Sequence, residues 1–150
     1  MPQSLSNILV HLVFSAKDRV PSLDSSLRAR LGPYLSATLR NIGCPPLQVG
    51  GATDRVHLLF RLARTTTVAD VVEVVKTSSS KWIKRNRRDL VSHRWQKGYG
   101  AFSISEAEAG RVVTYIKNQE AHHRVIRYED EYEDLLERYD VEYDERYVWD

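Results

Sequence analysis

The sequence predicts one α+β domain, an antiparallel sheet of about four to five strands with helices packed mainly on one face. Three observations lead there. Apolar runs of strand length recur at 7–15, 47–51, 56–62 and 99–105. Helical periodicities fall between them without strict alternation, and 150 residues at 42% hydrophobic composition provide one ordinary core. Residues 1–150 are therefore expected to form a single domain, with 128–150 an acidic helical tail.

In the first strand, Ile8, Val10, Leu12 and Phe14 mark one face while Leu9 and Val13 make the other apolar too, so this strand is expected at the centre of the sheet. Pro21 marks a turn. Leu27, Leu31, Tyr34, Leu35, Leu39 and Ile42 then recur at helical spacing until Gly43 supplies a stop, with Gly32 and Pro33 predicting a kink or a late start. The runs at 47–51 and 56–62 are joined by Gly51-Ala52-Thr53-Asp54, the signature of a hairpin with close backbone approach. Thr67 caps a second helix that carries Val68, Val71, Val72 and Val75 and runs to Trp82 and Ile83. After the strand at 99–105, Ser105 and Glu108 have the form of a capping box opening a third helix through Glu120. Tyr128, Tyr132, Leu135, Leu136 and Tyr139 stripe a last, otherwise acidic helix, and from Val141 a surface strand or mobile tail is expected.

The longest apolar stretch, 8–14, is interrupted by His11 and falls far short of the roughly 20 residues that cross a bilayer, so no membrane partner is expected. Residues 1–7 lack the basic start and cleavage site of a secretory signal, and a cytoplasmic location is expected. Cys44 is the only cysteine, which excludes an intrachain disulfide and a cysteine-based zinc site and predicts a small buried thiol.

Charge is divided sharply along the chain. Residues 1–127 hold 20 Lys and Arg against 9 Asp and Glu, a balance of +11, whereas 128–150 hold 2 against 11, a balance of −9. The body is thus a candidate polyanion binder. Its basic residues concentrate at the end of the second helix and just beyond: Lys76, Lys81, Lys84, Arg85, Arg87, Arg88, Arg94 and Lys97, opposed only by Asp89 and interleaved with Ser78, Ser79, Ser80, Trp82 and Trp95. Cations there would neutralise phosphates, hydroxyls would add hydrogen bonds, and indoles would stack on unpaired bases for about 1–3 kcal/mol each. The plain alternative is a solvated charged face.

Tyr115 and Gln119 lie four residues apart on the third predicted helix, with His122 and His123 one turn on and available as a further polar layer. A phenol titrates near pH ~10, so a nucleophilic tyrosine needs a metal or positive charge beside it. A packed aromatic, and a histidine pair complementing the helix dipole, are the alternatives.

Five segments in this order, HLVFSAK at 11–17, GGATDRVHLLF at 50–60, KTSSSKWI at 76–83, WQKGYGAFSIS at 95–105 and YIKNQEAHHR at 115–124, resemble the single-tyrosine HUH transposases of bacterial insertion sequences, the IS200-like transposases, over nearly the full length. The resemblance implies a ferredoxin-like fold, a homodimer sharing a sheet, and a nucleoid-associated protein that binds single-stranded DNA with hairpins. It implies transposition by strand cleavage and rejoining, through a 5′-phosphotyrosine link and a free 3′-hydroxyl. By residue match, Tyr115 is the nucleophile, and His57 and Gln119 are ligands of Mg2+ or Mn2+. The departure is Arg55, which stands where the family motif has its first histidine. Residues 55 and 57 share one side of a strand, but arginine stays protonated and has no lone pair for a metal. An impaired metal site is therefore expected, unless the Arg55 guanidinium itself clamps the scissile phosphate or His11, His122 or His123 joins a rearranged site; Arg55 turning to Asp54 is the plain alternative.

Three functions follow from different classes: an active transposase, a non-catalytic single-stranded-DNA-binding protein of the same descent, and an unrelated α+β RNA-binding module. The acidic tail is expected to fold over basic surface, mimicking DNA.

Overall fold

A computed structural model describes residues 2–123 and 126–150 of the chain, the side chains of His122 and His123 excepted. The elements are β1 (Leu9–Ser15), α1 (Ser25–Asn41), β2 (Pro46–Gly51), β3 (Arg55–Arg61), α2 (Val68–Asn86), β4 (Gly100–Ile104), α3 (Glu106–Lys117), α4 (Gln119–His123) and α5 (Tyr128–Arg138). The four strands form one antiparallel sheet in the order β2-β3-β1-β4. With α1 and α2 in the crossovers this is the βαββαβ arrangement of a ferredoxin-like α+β fold. β1 is central, as its two apolar faces require.

Side chains that alternate along the strands separate two cores. Val10, Leu12 and Phe14 of β1 and Val56, Leu58 and Phe60 of β3 face α1 and α2, where they meet Leu27, Leu31, Leu35, Leu39, Val71, Val75 and Ile83. The opposite face carries Leu9, Leu59 and Ile104 under α3, and Val13 and Phe102 under Tyr128, Leu135 and Leu136 of α5. The long helices α1 and α2 thus cover one face, and α3 and α5 cover the other.

Local signals account for the helix ends. The Asp24 carboxylate accepts from Leu27 N at 2.9 Å to open α1, the Thr67 hydroxyl accepts from Asp70 N to open α2, and the Ser105–Glu108 capping box opens α3. Gly43 follows α1 at a φ of +75°, a conformation glycine adopts without strain. Pro33 lies inside α1, which runs through it without ending, because its buried leucines hold both halves on the sheet. The third helix differs from expectation: α3 stops at Lys117, Asn118 forms its C-cap, and Gln119 opens the separate α4. After α5 the chain turns rather than forming a strand, and the Trp149 carbonyl accepts from Gln96 Nε2 at 2.6 Å. Cys44 is free and buried.

One close approach sets the position of α3. A Cβ on Gly50 would stand 2.9 Å from the Ile116 carbonyl oxygen, so only glycine lets α3 lie this near β2. Gly50 pairs directly with His57 across the β2–β3 ladder. The contact that seats α3 is therefore one strand away from the histidine that its tyrosine approaches.

Candidate nucleic-acid site

On the α3/α5 face of the sheet β1 and β3 carry polar side chains, where on the other face the same strands carry only apolar ones. Arg55 and His57 of β3 and His11 of β1 are all buried there, at 0%, 0% and 1% exposure. Tyr115 from α3, Gln119 from α4 and Glu131 from α5 close over them. His57 and Tyr115 have ring centroids 5.7 Å apart, and His11 and Tyr115 6.2 Å. The residues singled out from the sequence as nucleophile and metal ligands, Tyr115, His57 and Gln119, thus meet within one chain, despite the helix break at Asn118.

The hub is a residue that the sequence did not announce. Glu131 Oε1 accepts from Arg55 Nη1 and lies 3.0 Å from His57 Nε2, while Oε2 accepts from Gln119 Nε2 at 2.9 Å and from the Tyr115 hydroxyl. Four donors among the described residues converge on its two oxygens. Burial opposes the Glu131 charge, but His57, Tyr115 and Arg55 outweigh it and hold the carboxyl well below the usual carboxylate range. Burial, the Glu131 charge and the hydrogen bond to it push the Tyr115 phenol well above its ordinary value. In this arrangement Tyr115 is a held proton donor.

His57 Nδ1 lies 2.8 Å from His11 Nε2. Burial, with the neighbouring His57 charge, pushes the His11 imidazole down to about 3, so His11 is neutral and the two rings share one hydrogen. Because the Glu131 carboxylate can only accept, the contact at 3.0 Å takes an Nε2–H from His57, and in that tautomer His57 Nδ1 accepts the hydrogen of His11 Nε2. Arg55 does turn to Asp54, donating from Nε at 2.9 Å, without leaving the site: Nη1 reaches Glu131 and Nη2 reaches the Ile126 carbonyl at 3.2 Å.

These residues do not fit the divalent ion that the resemblance implies. The pocket directs donors inward, and the Arg55 cation stands where a third ligand would be needed; at about 4 Å, two like unit charges repel by roughly 4 kcal/mol even at an effective dielectric near 20, and a divalent ion by more. Gln119 Oε1 and the Oγ of Ser15, which pairs with Arg55 across the β1–β3 ladder, are buried oxygens of this face without a partner among the described residues, and one amide and one hydroxyl oxygen do not make a coordination shell. The side chains of His122 and His123, considered from the sequence as a further polar layer, lie outside the described residues.

The basic segment divides. Lys81, Lys84, Arg85, Arg88, Arg94 and Lys97 are exposed on and after the end of α2. Ser79 is a correction to the expected phosphate face: it is fully buried, donating to the Val75 carbonyl at 2.6 Å and accepting from Trp95 Nε1 at 3.0 Å. Trp95 itself packs edge-on against Phe14 and is not available for stacking on bases. Lys76 donates to the Gln96 and Gly98 carbonyls, tying α2 to the loop before β4. Arg87 bridges Asp24 and Asp89. Trp82 is half-buried, stacked on Tyr34 with Arg30 over its ring.

The fold and this cluster together define a class: a small α+β domain that sets a half-buried tyrosine with a buried histidine, glutamine and arginine against one face of its sheet, apart from an exposed basic helix end. A family model described as "Transposase IS200 like" matches residues 4–119, and the chain belongs to that family. No curated protein matches the sequence. Among solved structures, a transposase candidate from Deinococcus radiodurans superimposes with a TM-score of 0.66 at 21% identity, covering 80% of this chain and 96% of that one. A REP-associated tyrosine transposase bound to a REP hairpin superimposes with a TM-score of 0.61 at 11% identity, covering 84% and 74%. Glu131 and α5 lie beyond the residues the family model matches.

Proposed function

We propose that this protein binds single-stranded DNA bearing hairpins and presents Tyr115 to one phosphodiester of it. The observation that carries this reading is the meeting of Tyr115 and Gln119 with Arg55 and His57 inside one chain. Membership of the transposase family supports a DNA substrate, and the hairpin bound by a structural neighbour supports its form. In the cleavage reaction the bond from Tyr115 Oη to phosphorus forms as the bond to the 3′-oxygen breaks. The phenolic proton ends on that oxygen, giving a 5′-phosphotyrosine link and a 3′-hydroxyl that can reverse the step. Lys81, Lys84, Arg85, Arg88, Arg94 and Lys97 supply the electrostatic track for the strand.

The test is a labelled hairpin oligonucleotide with a single-stranded flank, incubated with the protein with and without Mg2+ or Mn2+. A covalent adduct that survives denaturation and is lost in Tyr115→Phe is the expected result. Binding without any adduct, with or without metal, favours the second reading, a non-catalytic DNA-binding protein, for which the Arg55–Glu131 contact is the supporting observation. Preference for an RNA hairpin over the DNA one overturns both. The homodimer is a separate proposal: because Tyr115 and His57 meet within one chain, a partner would extend the DNA surface without completing the site, and light scattering at increasing concentration reads the assembly.

A further inference from the structure

The pocket under α5 has the chemistry of an oxyanion site, and α5 fills it. Tyr115, His57, Gln119 and Arg55 all aim N–H or O–H groups at one point, and the group found there is a carboxylate. Asp54 holds the Arg55 guanidinium from its Nε side. Both terminal nitrogens reach the segment 126–131, Nη1 on Glu131 and Nη2 on the Ile126 carbonyl. Withdrawal of this segment would present a two-pronged fork, already oriented by Asp54, of the kind that matches two oxygens of a phosphodiester. Asp54 stays paired with the fully buried Arg55, and a DNA phosphate would take over the charge pairing that Glu131 supplies.

We infer that Arg55, His57, Tyr115 and Gln119 form a metal-independent phosphodiester-binding pocket, in which Glu131 is the resident stand-in for the phosphate and α5 an intramolecular competitor of single-stranded DNA. This rests on the reading of the protein as a single-stranded-DNA binder and adds where one phosphate sits and what must leave first. The means of attachment suit a displaceable segment: α5 buries Tyr128, Leu135 and Leu136 against Val13 and Phe102, and its remaining face is acidic. The −9 charge of 128–150 makes the displaced helix repel the strand that replaced it, so the two cannot share the site. The scale follows from the closure equilibrium, since the apparent Kd rises in inverse proportion to the open fraction.

The experiment measures Kd for the flanked DNA hairpin by fluorescence anisotropy in EDTA, for the intact chain and its Glu131→Gln variant. An increase in affinity of about ten-fold or more is expected, corresponding to a site closed at least about nine-tenths of the time. The gain should vanish when Arg55→Gln is added, and Asp134→Asn, which removes the same charge from an exposed position of α5, should not reproduce it. An unchanged Kd in Glu131→Gln, a gain that persists without Arg55, an equal gain in Asp134→Asn, or binding that requires a divalent ion overturns the inference while leaving DNA binding intact. Failure of every form to bind the hairpin overturns both readings. Because Glu131→Gln leaves Arg55 short of a counter-charge, hydrogen exchange on the unmodified chain provides a second readout. Amides of residues 128–138 should lose protection when the hairpin binds while those of β1 and β3 keep theirs; protection of α5 maintained on DNA overturns the inference.

Discussion

The two faces of the sheet use the same strands for opposite purposes. Between the sheet and α1/α2, every inward residue of β1 and β3 is apolar, and the buried polar pair in this core, Trp95 Nε1 donating to Ser79 Oγ, comes from outside those strands. On the α3/α5 face, the same two strands contribute His11, Arg55 and His57, whose burial is tolerable because Glu131, Asp54 and the contact between the two histidines satisfy them. The first face derives its stability from area removed from water, which is non-directional and does not titrate. The second depends on a mutually satisfied cluster, in which any departing member leaves others exposed to a desolvation cost. A face of that kind suits binding, since an incoming anion can take the place of the group that leaves.

The largest effect is expected on the apolar face: Phe60→Ala should cost about 3–5 kcal/mol in a reversible melt, because it empties a fully buried site that the rigid sheet cannot refill. A loss below about 1 kcal/mol would erase the contrast between faces. Gly50→Ala comes next at about 1–3 kcal/mol, since a methyl group 2.9 Å from the Ile116 carbonyl forces α3 outward. It should also weaken any phosphotyrosine adduct, so unchanged yield would show that the seat of α3 is not set there.

Acidification should act on the histidines. His11 is pushed down to about 3 and His93 to about 4, both chiefly by burial, so the unfolded chain takes up protons that the folded chain refuses. Stability from these groups is complete above the ordinary histidine range and falls as pH drops from about 6.5 toward those values, by up to about 1.4 kcal/mol per pH unit for each. Denaturant melts across pH 4 to 7 should show this, with a shallower slope in His93→Phe; an unaltered slope would remove His93 from the account. Smaller still, Leu135→Ala should loosen α5 alone, raising hydrogen exchange at residues 128–138 while the global transition moves by less than about 1 kcal/mol, because a segment that undocks first limits the loss. Lys84→Ala with Arg85→Ala should leave the melt within about 0.5 kcal/mol and reduce the slope of log affinity against log salt for single-stranded DNA by about 0.7 per residue. An unchanged slope would place the strand elsewhere.

Much of the architecture was written locally. The two-sided apolarity of β1, the Gly51–Asp54 turn, the Thr67 cap and the Ser105–Glu108 box each state a local physical requirement, and the elements formed where those requirements were met. The burial of Ser79 and Trp95 was not legible, because a basic run rich in hydroxyls and indoles reads alike whether its helix shows one face or another; register against Val75 and Phe14 decided it. The break at Asn118 escaped for a similar reason, since the polar stretch 117–120 carries no glycine or proline.

Composition and periodicity by themselves determined an α+β domain with a basic body and an acidic end, and strand alternation placed Arg55 and His57 on one side, because these properties depend only on near neighbours in the chain. Glu131 left one local trace, a carboxylate within the Tyr128–Leu135 stripe where an apolar residue would be expected. That it closes on Arg55, His57, Tyr115 and Gln119 was decided only by the tertiary structure, since no local rule specifies which hydrogen-bond donors, 12 to 76 positions away, a carboxylate will meet.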